Sequence, residues 1–576
     1  GCNNIEDIVI PKTVTNIGRI AFGWCENLKT ITFCGDAPKE IQRVMGDNKH
    51  TLKNDAYYPA NNATWTEEVM NKMGPDATWI PYGEEEIVAK GNCGEKLEWK
   101  LDSKGVLHIS GSGTMKNYTY KSEMPWFKYI DQINSVKVEE GVTSIGDYAF
   151  YGMPNMTEIQ LPKGLKTIGG YAFKNSTKLN KVELPDTITK LGESAFYGCT
   201  GLTKINIPEG IYTVWAYTFK NCTNLAEVTL PSTLIKLDEA AFYGCSSLKE
   251  INIPKKVSII GIYCFKNCNN LSSLTLPEAL TSVREAAFYG TAITELTIPK
   301  DVKTIGAYAF KNCTKLNNIQ LPEALEKIDD SAFYSCTALT TLEIPNNVTK
   351  ICDYAFRKCT GIQSVKFSEN LTTIGESAFY GCSGINELNL PQGVTSIGSY
   401  AFKSCANVTT VQMPAALGKV AESTFYGCEK IAEIDIPEAV KSIENYAFAS
   451  CAGLHTIRFS GDRPEIGAYA FARVIAEVYY PSENATWTQD MMQNYGGTLK
   501  WIMNEKNEAI SDESIANNDE NTDEIENEVI EEEESKETSE AEGDDNSKEE
   551  IEEAKPEEEI MSEGDLENKQ PESEAQ

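Results

Sequence analysis

The chain has 576 residues, 41% of them hydrophobic, and a formal net charge of −33 at neutral pH. A surface this acidic repels nucleic acid and anionic lipid, so we expect neither as a partner. No run of about 18 apolar residues occurs, so no segment is predicted to insert into a membrane.

The chain opens inside a repeating pattern. The sequence CNNI at 2–5 aligns with CTNL at 222–225. We therefore predict that residues 1–33 are the truncated end of a first repeat array, with a signal peptide upstream of Gly1. The alternative is that Cys2 is the lipid-attachment cysteine of a lipoprotein.

Two similar modules each follow a run of repeats. Residues 34–83 contain YYPANNATW and residues 461–504 contain YYPSENATW. Repeat arrays need end caps that cover their last apolar layer, so both modules are predicted to be carboxyl-terminal caps. The alternative is that they bind sugar through their tryptophans, which are Trp65, Trp79, Trp487 and Trp501.

A predicted linker at 84–90 leads to a small β module at 91–134. Its segment EWKLDSKGVLHISGSGTM alternates apolar and polar residues around Asp-x-x-Gly, which is typical of a β-hairpin. We interpret this module as the amino-terminal cap of a second array.

The second array, residues 135–460, is a repeat with a period of 23 residues. Phenylalanine recurs at that spacing, with one step of 22 between Phe288 and Phe310. A segment such as LTKINIP alternates with period two, which predicts a short strand with one buried face that its proline ends. A second short strand and a helical turn carrying Ala-Phe inward complete each unit. Because one unit cannot bury its own apolar side, the fold is predicted to be a repeat solenoid of stacked coils.

The repeat, written L-x-x-I-x-[IL]-P-x-x-[VL]-x-x-[IL]-x-x-x-A-F-x-x-C-x-x, resembles the BspA-like leucine-rich-repeat family. The resemblance covers residues 1–33 and 133–471. It implies a leucine-rich-repeat-type stack in a bacterial protein that is extracellular or on the cell surface. It also implies a role in adhesion, with extracellular or host proteins or glycans as partners.

The sequence contains few of the residue patterns that support catalysis. Thirteen of the 17 cysteines occupy one column of the repeat. We expect them to be buried thiols, since identical side chains pointing the same way lack disulfide geometry; bridges between neighbouring coils are the alternative. No CxxC pair, P-loop or GxGxxG motif occurs, and the three histidines lie in unrelated modules. We predict a chain that is not an enzyme and has no metal and no cofactor.

Two surfaces are candidates for binding. Tyrosine and a cation alternate directly after the repeated phenylalanine, as in Tyr197, Lys220, Tyr243, Lys266, Tyr289 and Lys311. This two-coil alternation predicts a structural cation–aromatic ladder, and a stripe for a repetitive ligand is the alternative. The other candidate is the outward face of the predicted inner sheet, where polar residues include Lys204, Glu227, Glu250 and Glu295.

Residues 505–576 hold 31 acidic residues and 5 lysines, with no aromatic residue and no cysteine. Such a segment cannot bury enough apolar area to offset its chain entropy, so we predict a disordered acidic tail that acts as a spacer. Calcium binding is a weaker alternative, because no D-x-[DN]-x-[DN]-G loop is present.

Together these features predict a monomeric, non-catalytic surface solenoid that mediates adhesion or binds proteins or glycans. The alternative is a structural spacer that displays another domain of a larger surface protein.

Overall fold

A computed structural model of the chain describes residues 4–39, 44, 55–60, 62–83 and 86–504. The predicted acidic tail at 505–576 and Cys2 lie outside the described residues. Within them the fold is a solenoid of successive short-stranded coils, as the repeat predicts. No helix in these ranges is long and apolar enough to cross a membrane.

The first segment is a four-stranded parallel sheet with one short helix. Its strands are Asp7–Ile10, Thr30–Phe33, Asp55–Pro59 and Thr78–Tyr82, paired in that order. The helix Glu67–Met73 begins at Thr66, whose hydroxyl accepts a hydrogen bond from the Val69 amide at 3.3 Å. Such a cap satisfies an amide that has no partner in the first turn of the helix.

The predicted hairpin is confirmed. Strands Ile87–Gly94, Leu97–Asp102 and Val106–Gly111 are antiparallel, and the last pairs in parallel with Ser135–Val138. Asp102 closes the tight turn by accepting the amides of Lys104 and Val106, each at 2.9 Å. The strand Ile87–Gly94 begins inside the segment predicted as a linker and lies at the edge of the sheet, while Val106–Gly111 joins the hairpin to the first coil. Two 3₁₀ helices follow, Lys121–Glu123 and Phe127–Gln132.

One side of every coil contributes a strand to what we call the inner sheet. Its paired strands are parallel, and in most of them buried residues alternate with more exposed ones. They are Ser135–Val138, Glu158–Gln160, Lys181–Val182, Lys204–Asn206, Glu227–Thr229, Glu250–Ile251, Ser273–Leu274, Glu295–Thr297, Asn318–Gln320, Thr341–Glu343, Ser364–Lys366, Glu387–Asn389, Thr410–Gln412, Glu433–Ile436, Thr456–Phe459, Ile475–Pro481 and Thr498–Asn504. Between 204 and 412 these strands are hydrogen-bonded in pairs, which matches the two-coil period of the sequence.

A second side of each coil contributes a shorter strand to what we call the side sheet. These strands are Gly113–Thr114, Val142–Ile145, Thr167–Ile168, Lys190–Leu191, Thr213–Val214, Lys236–Leu237, Ile259–Ile260, Ser282–Val283, Thr304–Ile305, Lys327–Ile328, Lys350–Ile351, Thr373–Ile374, Ser396–Ile397, Lys419–Val420, Ser442–Ile443 and Glu465–Ile466. The side sheet is parallel as well, and in each of these strands from Thr167–Ile168 to Ser442–Ile443 the second residue is buried.

The third side, which we call the turn side, is not the helical turn predicted for each coil. It consists of consecutive turns in which residues two before and two after the phenylalanine have positive φ, such as Tyr171 at 58° and Asn175 at 60°. These angles interrupt any helix. Alternate amides, such as those of Phe173 and Asn175, donate instead to carbonyls of the next coil at 2.8 and 2.7 Å. The coils are thus joined along all three sides.

The core is a stack of phenylalanine rings. From Phe150 to Phe471 each repeated ring lies nearly parallel to the next, with centroids 5.0–5.7 Å apart, and Trp126 extends the stack at its amino-terminal end. All these rings are buried. The stack passes through the shortened repeat unbroken, since Phe310 lies 5.5 Å from Phe288 and 5.2 Å from Phe333.

The cysteine column lies beside this stack as buried, unbridged thiols, in agreement with the prediction for its described members. The sulphur of each column cysteine from Cys199 to Cys451 donates to the carbonyl of a phenylalanine in the preceding coil, as in the 3.1 Å contact from Cys222 Sγ to Phe196 O. The sulphurs therefore point the same way rather than at one another. In the shortened repeat Thr291 takes this position and donates to Phe288 O at 2.9 Å.

Candidate functional site

The alternating tyrosines and cations form a continuous ladder on the turn side. The ammonium of Lys220 lies 5.7 Å from the ring centre of Tyr197 and 4.7 Å from that of Tyr243. Lys266 bridges the rings of Tyr243 and Tyr289 at 5.6 and 5.1 Å. Lys311, Arg357 and Lys403 continue the arrangement up to Tyr426. Contacts of this kind stabilise by about 0.5–1 kcal/mol each at partly exposed sites.

Each cation coil adds a second tyrosine, two residues before its phenylalanine. In four of these coils its hydroxyl donates to a glutamate of the next coil, as from Tyr263 to Glu285 at 2.7 Å and from Tyr354 to Glu376 at 2.9 Å. Burial, and then the hydrogen bond to Glu376, raise the pKa of Tyr354 to about 12. The six predicted ladder residues are only half-exposed and are held by neighbours on both sides. These contacts support a structural role for the ladder.

The four predicted inner-sheet residues lie elsewhere, on strands that face away from the ladder. Lys204, Glu227, Glu250 and Glu295 are all exposed on the inner sheet. Lys204 and Glu227 form an ion pair between adjacent coils at 2.7 Å. Exposed pairs of this kind contribute little to stability, so these side chains are free to change partners at low cost. The ten predicted residues therefore form two surfaces, not one.

A shallow groove interrupts the inner sheet beside Glu295. Its volume is about 220 Å³, and it lies where the strands Ser273–Leu274 and Glu295–Thr297 are neighbours but belong to separate hydrogen-bonded pairs. Its lining is mainly polar and includes Thr275, Thr297, Asn318 and Gln320. The groove coincides with the shortened repeat, and it gives the inner sheet a local depression with amide and hydroxyl groups.

The four tryptophans of the two predicted caps are engaged within their own modules. Trp65 packs on Phe33 at 4.8 Å, and Trp487 packs on Phe459 at the same distance. The indole N–H groups of all four donate to backbone carbonyls at 2.9–3.2 Å. Such packing against the last coil supports the cap interpretation over sugar binding by these rings.

One cluster within the described ranges brings candidate metal-binding atoms together. Oxygens of Asp329 and Asp330 and the sulphur of Cys352 lie within 4.8 Å of one another. Lys327 already pairs with Asp329 at 3.2 Å, so part of the negative charge is balanced within the protein. The cluster lies directly after two neighbouring side-sheet strands, Lys327–Ile328 and Lys350–Ile351.

The sequence reasoning missed an apolar patch on the side sheet. Tyr212, Trp215 and Ile235 are 58%, 43% and 46% exposed. At the equivalent positions of other coils the residue is mostly threonine, lysine or glycine. This contrast was visible in the sequence and could have indicated the patch.

The family model for BspA-type leucine-rich-repeat regions matches the chain in six copies. One copy covers residues 1–45, and the other five overlap along 123–522. No curated protein sequence matches the chain significantly.

Leucine-rich-repeat proteins are among the solved structures that match the chain. A leucine-rich-repeat protein from Bacteroides ovatus is 25% identical, covers 71% of this chain and 98% of its own, and superposes with a TM-score of 0.51. A leucine-rich cell surface protein from Faecalibacterium prausnitzii is also 25% identical, over 64% of this chain and 94% of its own, with a TM-score of 0.36.

Proposed function

Because this chain belongs to the BspA-type leucine-rich-repeat family, whose fold is that of non-enzymatic repeat solenoids, we propose that it is a non-catalytic binding protein. It acts outside the cell or on its surface, where it mediates adhesion by binding extracellular or host proteins or glycans. The matching cell surface protein from Faecalibacterium prausnitzii is in keeping with this location.

The observation that carries the proposal is the exposed polar face of the inner sheet. Its outward residues change identity from coil to coil, whereas the buried residues of the same strands stay aliphatic. A face that has no structural duty but extends over many coils can bind a large partner through many weak contacts. Lys204, Glu227, Glu250 and Glu295 mark this face, and the ladder serves mainly to hold the coils in register.

The chain offers a matched pair of variants to test this. Lys204 and Glu227 pair at 2.7 Å on the inner sheet, while Lys303 and Glu326 pair at 2.8 Å on the side sheet, and all four side chains are more than half exposed. We expect the double variant Lys204→Ala/Glu227→Ala to weaken binding to an array of immobilised extracellular matrix proteins. Lys303→Ala/Glu326→Ala should bind as the unaltered chain does. Equal effects of the two variants would refute a role for the inner sheet.

The second candidate function is a structural spacer. The unbroken phenylalanine stack and the hydrogen bonds that join the coils along three sides tie each coil to the next, which suits the display of another domain. A spacer requires no ligand, so the absence of binding to any of the immobilised extracellular matrix proteins would favour the spacer function.

A further inference from the structure

The apolar patch on the side sheet, formed by Tyr212, Trp215 and Ile235, is distinct from both surfaces described above. The strand Thr213–Val214 carries it: Val214 is buried in the core while Tyr212 and Trp215 on either side of the strand are exposed. The amide of Ile235 donates to Tyr212 O at 2.9 Å, which places Ile235 next to Tyr212 on the adjacent coil.

This patch is a departure from the repeat. One coil before Trp215 the same position is Gly192, where an added Cβ would lie 2.3 Å from a backbone nitrogen of the preceding coil. Glycine also occupies the position at 146, 169 and 261, and aspartate occupies it at 238. A tryptophan at a position where most coils use glycine serves no packing need of the core, since 43% of it is exposed.

The polar ends of the two rings are also open. Among the residues that the structure describes, neither the Trp215 indole N–H nor the Tyr212 hydroxyl makes a hydrogen bond within the chain. The four cap tryptophans, by contrast, each donate the indole N–H to a backbone carbonyl. The patch therefore combines two partly exposed aromatic side chains with an indole donor and a hydroxyl that make no hydrogen bond among the described residues.

The surroundings of the patch carry charged groups of both signs, among them the exposed Lys190 one coil before Thr213. Lys236 pairs with Asp238 at 2.8 Å, and Glu239 accepts a hydrogen bond from the Tyr217 hydroxyl. Charges of both signs therefore lie beside the patch, and neither sign dominates to favour an anionic or a cationic ligand. The ammonium and carboxylate groups can exchange hydrogen bonds with hydroxyls.

The size of the patch separates two classes of partner. Its three side chains expose roughly 300 Å² in total, given the 150–250 Å² typical of an aromatic side chain. A stable protein interface needs about 800 Å² from each partner. Aromatic faces with hydroxyl-bonding groups at their edge match the C–H faces and hydroxyls of a pyranose ring.

We propose that Tyr212, Trp215 and Ile235 form a binding platform for a neutral oligosaccharide. The inference rests on the proposed binding function and assigns it a ligand class and a second face, separate from the inner sheet.

Fluorine NMR of the full chain labelled with fluorotryptophan tests this directly, because each of the eight tryptophans gives its own signal. The probes are cellohexaose, laminarihexaose, chitohexaose and mannohexaose, each titrated to millimolar concentration. We expect at least one of them to shift the Trp215 signal saturably. Trp24, which is 52% exposed and lies in the first segment, is the internal control and should not respond.

Variants complete the test. Trp215→Phe should retain most of the affinity, whereas Trp215→Ala and Tyr212→Ala should each weaken binding on the order of tenfold, as expected for loss of a stacked ring. Trp24→Ala should bind unchanged. Unaltered thermal midpoints identify variants that remain folded, and Tyr212→Ala tests the site independently if Trp215→Ala does not fold.

Three outcomes would overturn the platform and are distinguishable from failure of the proposed function. If no saccharide moves the Trp215 signal, or if binding survives Trp215→Ala, the assignment is wrong. In that case binding of an extracellular protein that still requires the inner sheet would leave the proposed function intact. Binding of a protein that requires Trp215 would make the patch a protein contact and would equally overturn the saccharide assignment.

Discussion

Removal of the Phe310 ring tests whether the array behaves as a linear stack. The ring is fully buried between Phe288 and Phe333, at 5.5 and 5.2 Å, in the middle of the long array. Burial of roughly 150–250 Å² at about 25 cal/mol per Å² corresponds to ~4–6 kcal/mol, of which alanine retains a part. We therefore expect Phe310→Ala to lower the free energy of unfolding by about 3–5 kcal/mol through lost burial and a cavity.

The coils in which stability is lost are more informative than the size of the loss in the free energy of unfolding. Because each coil contacts only its neighbours, the array should open locally around residue 310 and not lose stability evenly. Hydrogen exchange read by mass spectrometry follows all coils at once. Faster exchange centred on the coils of 288, 310 and 333 is the expected result. Phe22→Ala, in the first segment, is the control and should leave exchange in the second array unchanged.

Two results would refute this reasoning. A uniform loss of protection from 136 to 471 would mean that the array unfolds as one cooperative unit. An unchanged exchange pattern would mean that the Phe310 ring does not contribute to the core.

Three further predictions concern the thiols, the ladder and the tail. Burial raises the pKa of the Cys222 thiol to about 12. A thiol reagent at neutral pH should therefore find few reactive cysteines in the native chain and nearly all 17 after denaturation without reductant. Detection of about half that number in denaturant would indicate disulfide bridges between coils. Because the pKa of Tyr354 is raised to about 12 from an ordinary value near 10, the folded state favours its protonated form. The stability gained from this is complete below about pH 10 and should be lost as the pH rises towards 12, and in Tyr354→Phe this part of the alkaline loss should be absent from denaturant titrations. Deletion of 505–576 should leave the thermal midpoint of the remainder nearly unchanged, and a fall of more than a few degrees would show that the tail docks on the folded part.

The sequence was sufficient for the architecture because the repeat encodes it many times over. The 23-residue spacing of phenylalanine and the period-two strand each correspond to a feature that recurs from coil to coil, and the cysteine column corresponds to one seen in most coils. The turn side was misjudged for a physical reason. The segment around Ala-Phe has the composition of a helical turn, but the positive φ of residues such as Tyr171 and Asn175 depends on hydrogen bonds to the next coil, which no single coil reveals.

The candidate surfaces were harder to predict. The alternation of tyrosine and cation was visible in the sequence, but the engagement of Lys220 between Tyr197 and Tyr243 follows from the stacking of three coils. The predictions rested on the repeated residues and therefore missed those that depart from the repeat. Trp215 is informative because it breaks the pattern, and its exposure could be judged only once its coil was placed against Gly192 and Asp238.

A footprint of the bound partner tests the central claim most directly. The extracellular matrix protein that binds the full chain most tightly would be added, and side-chain oxidation by hydroxyl radicals would be compared with and without it. The account predicts protection of inner-sheet strands, including Lys204–Asn206, Glu227–Thr229 and Glu295–Thr297. The side-sheet residues Lys303 and Glu326 of the control pair should keep their reactivity. Protection confined to the side sheet or the turn side, or no binding partner at all, would contradict it.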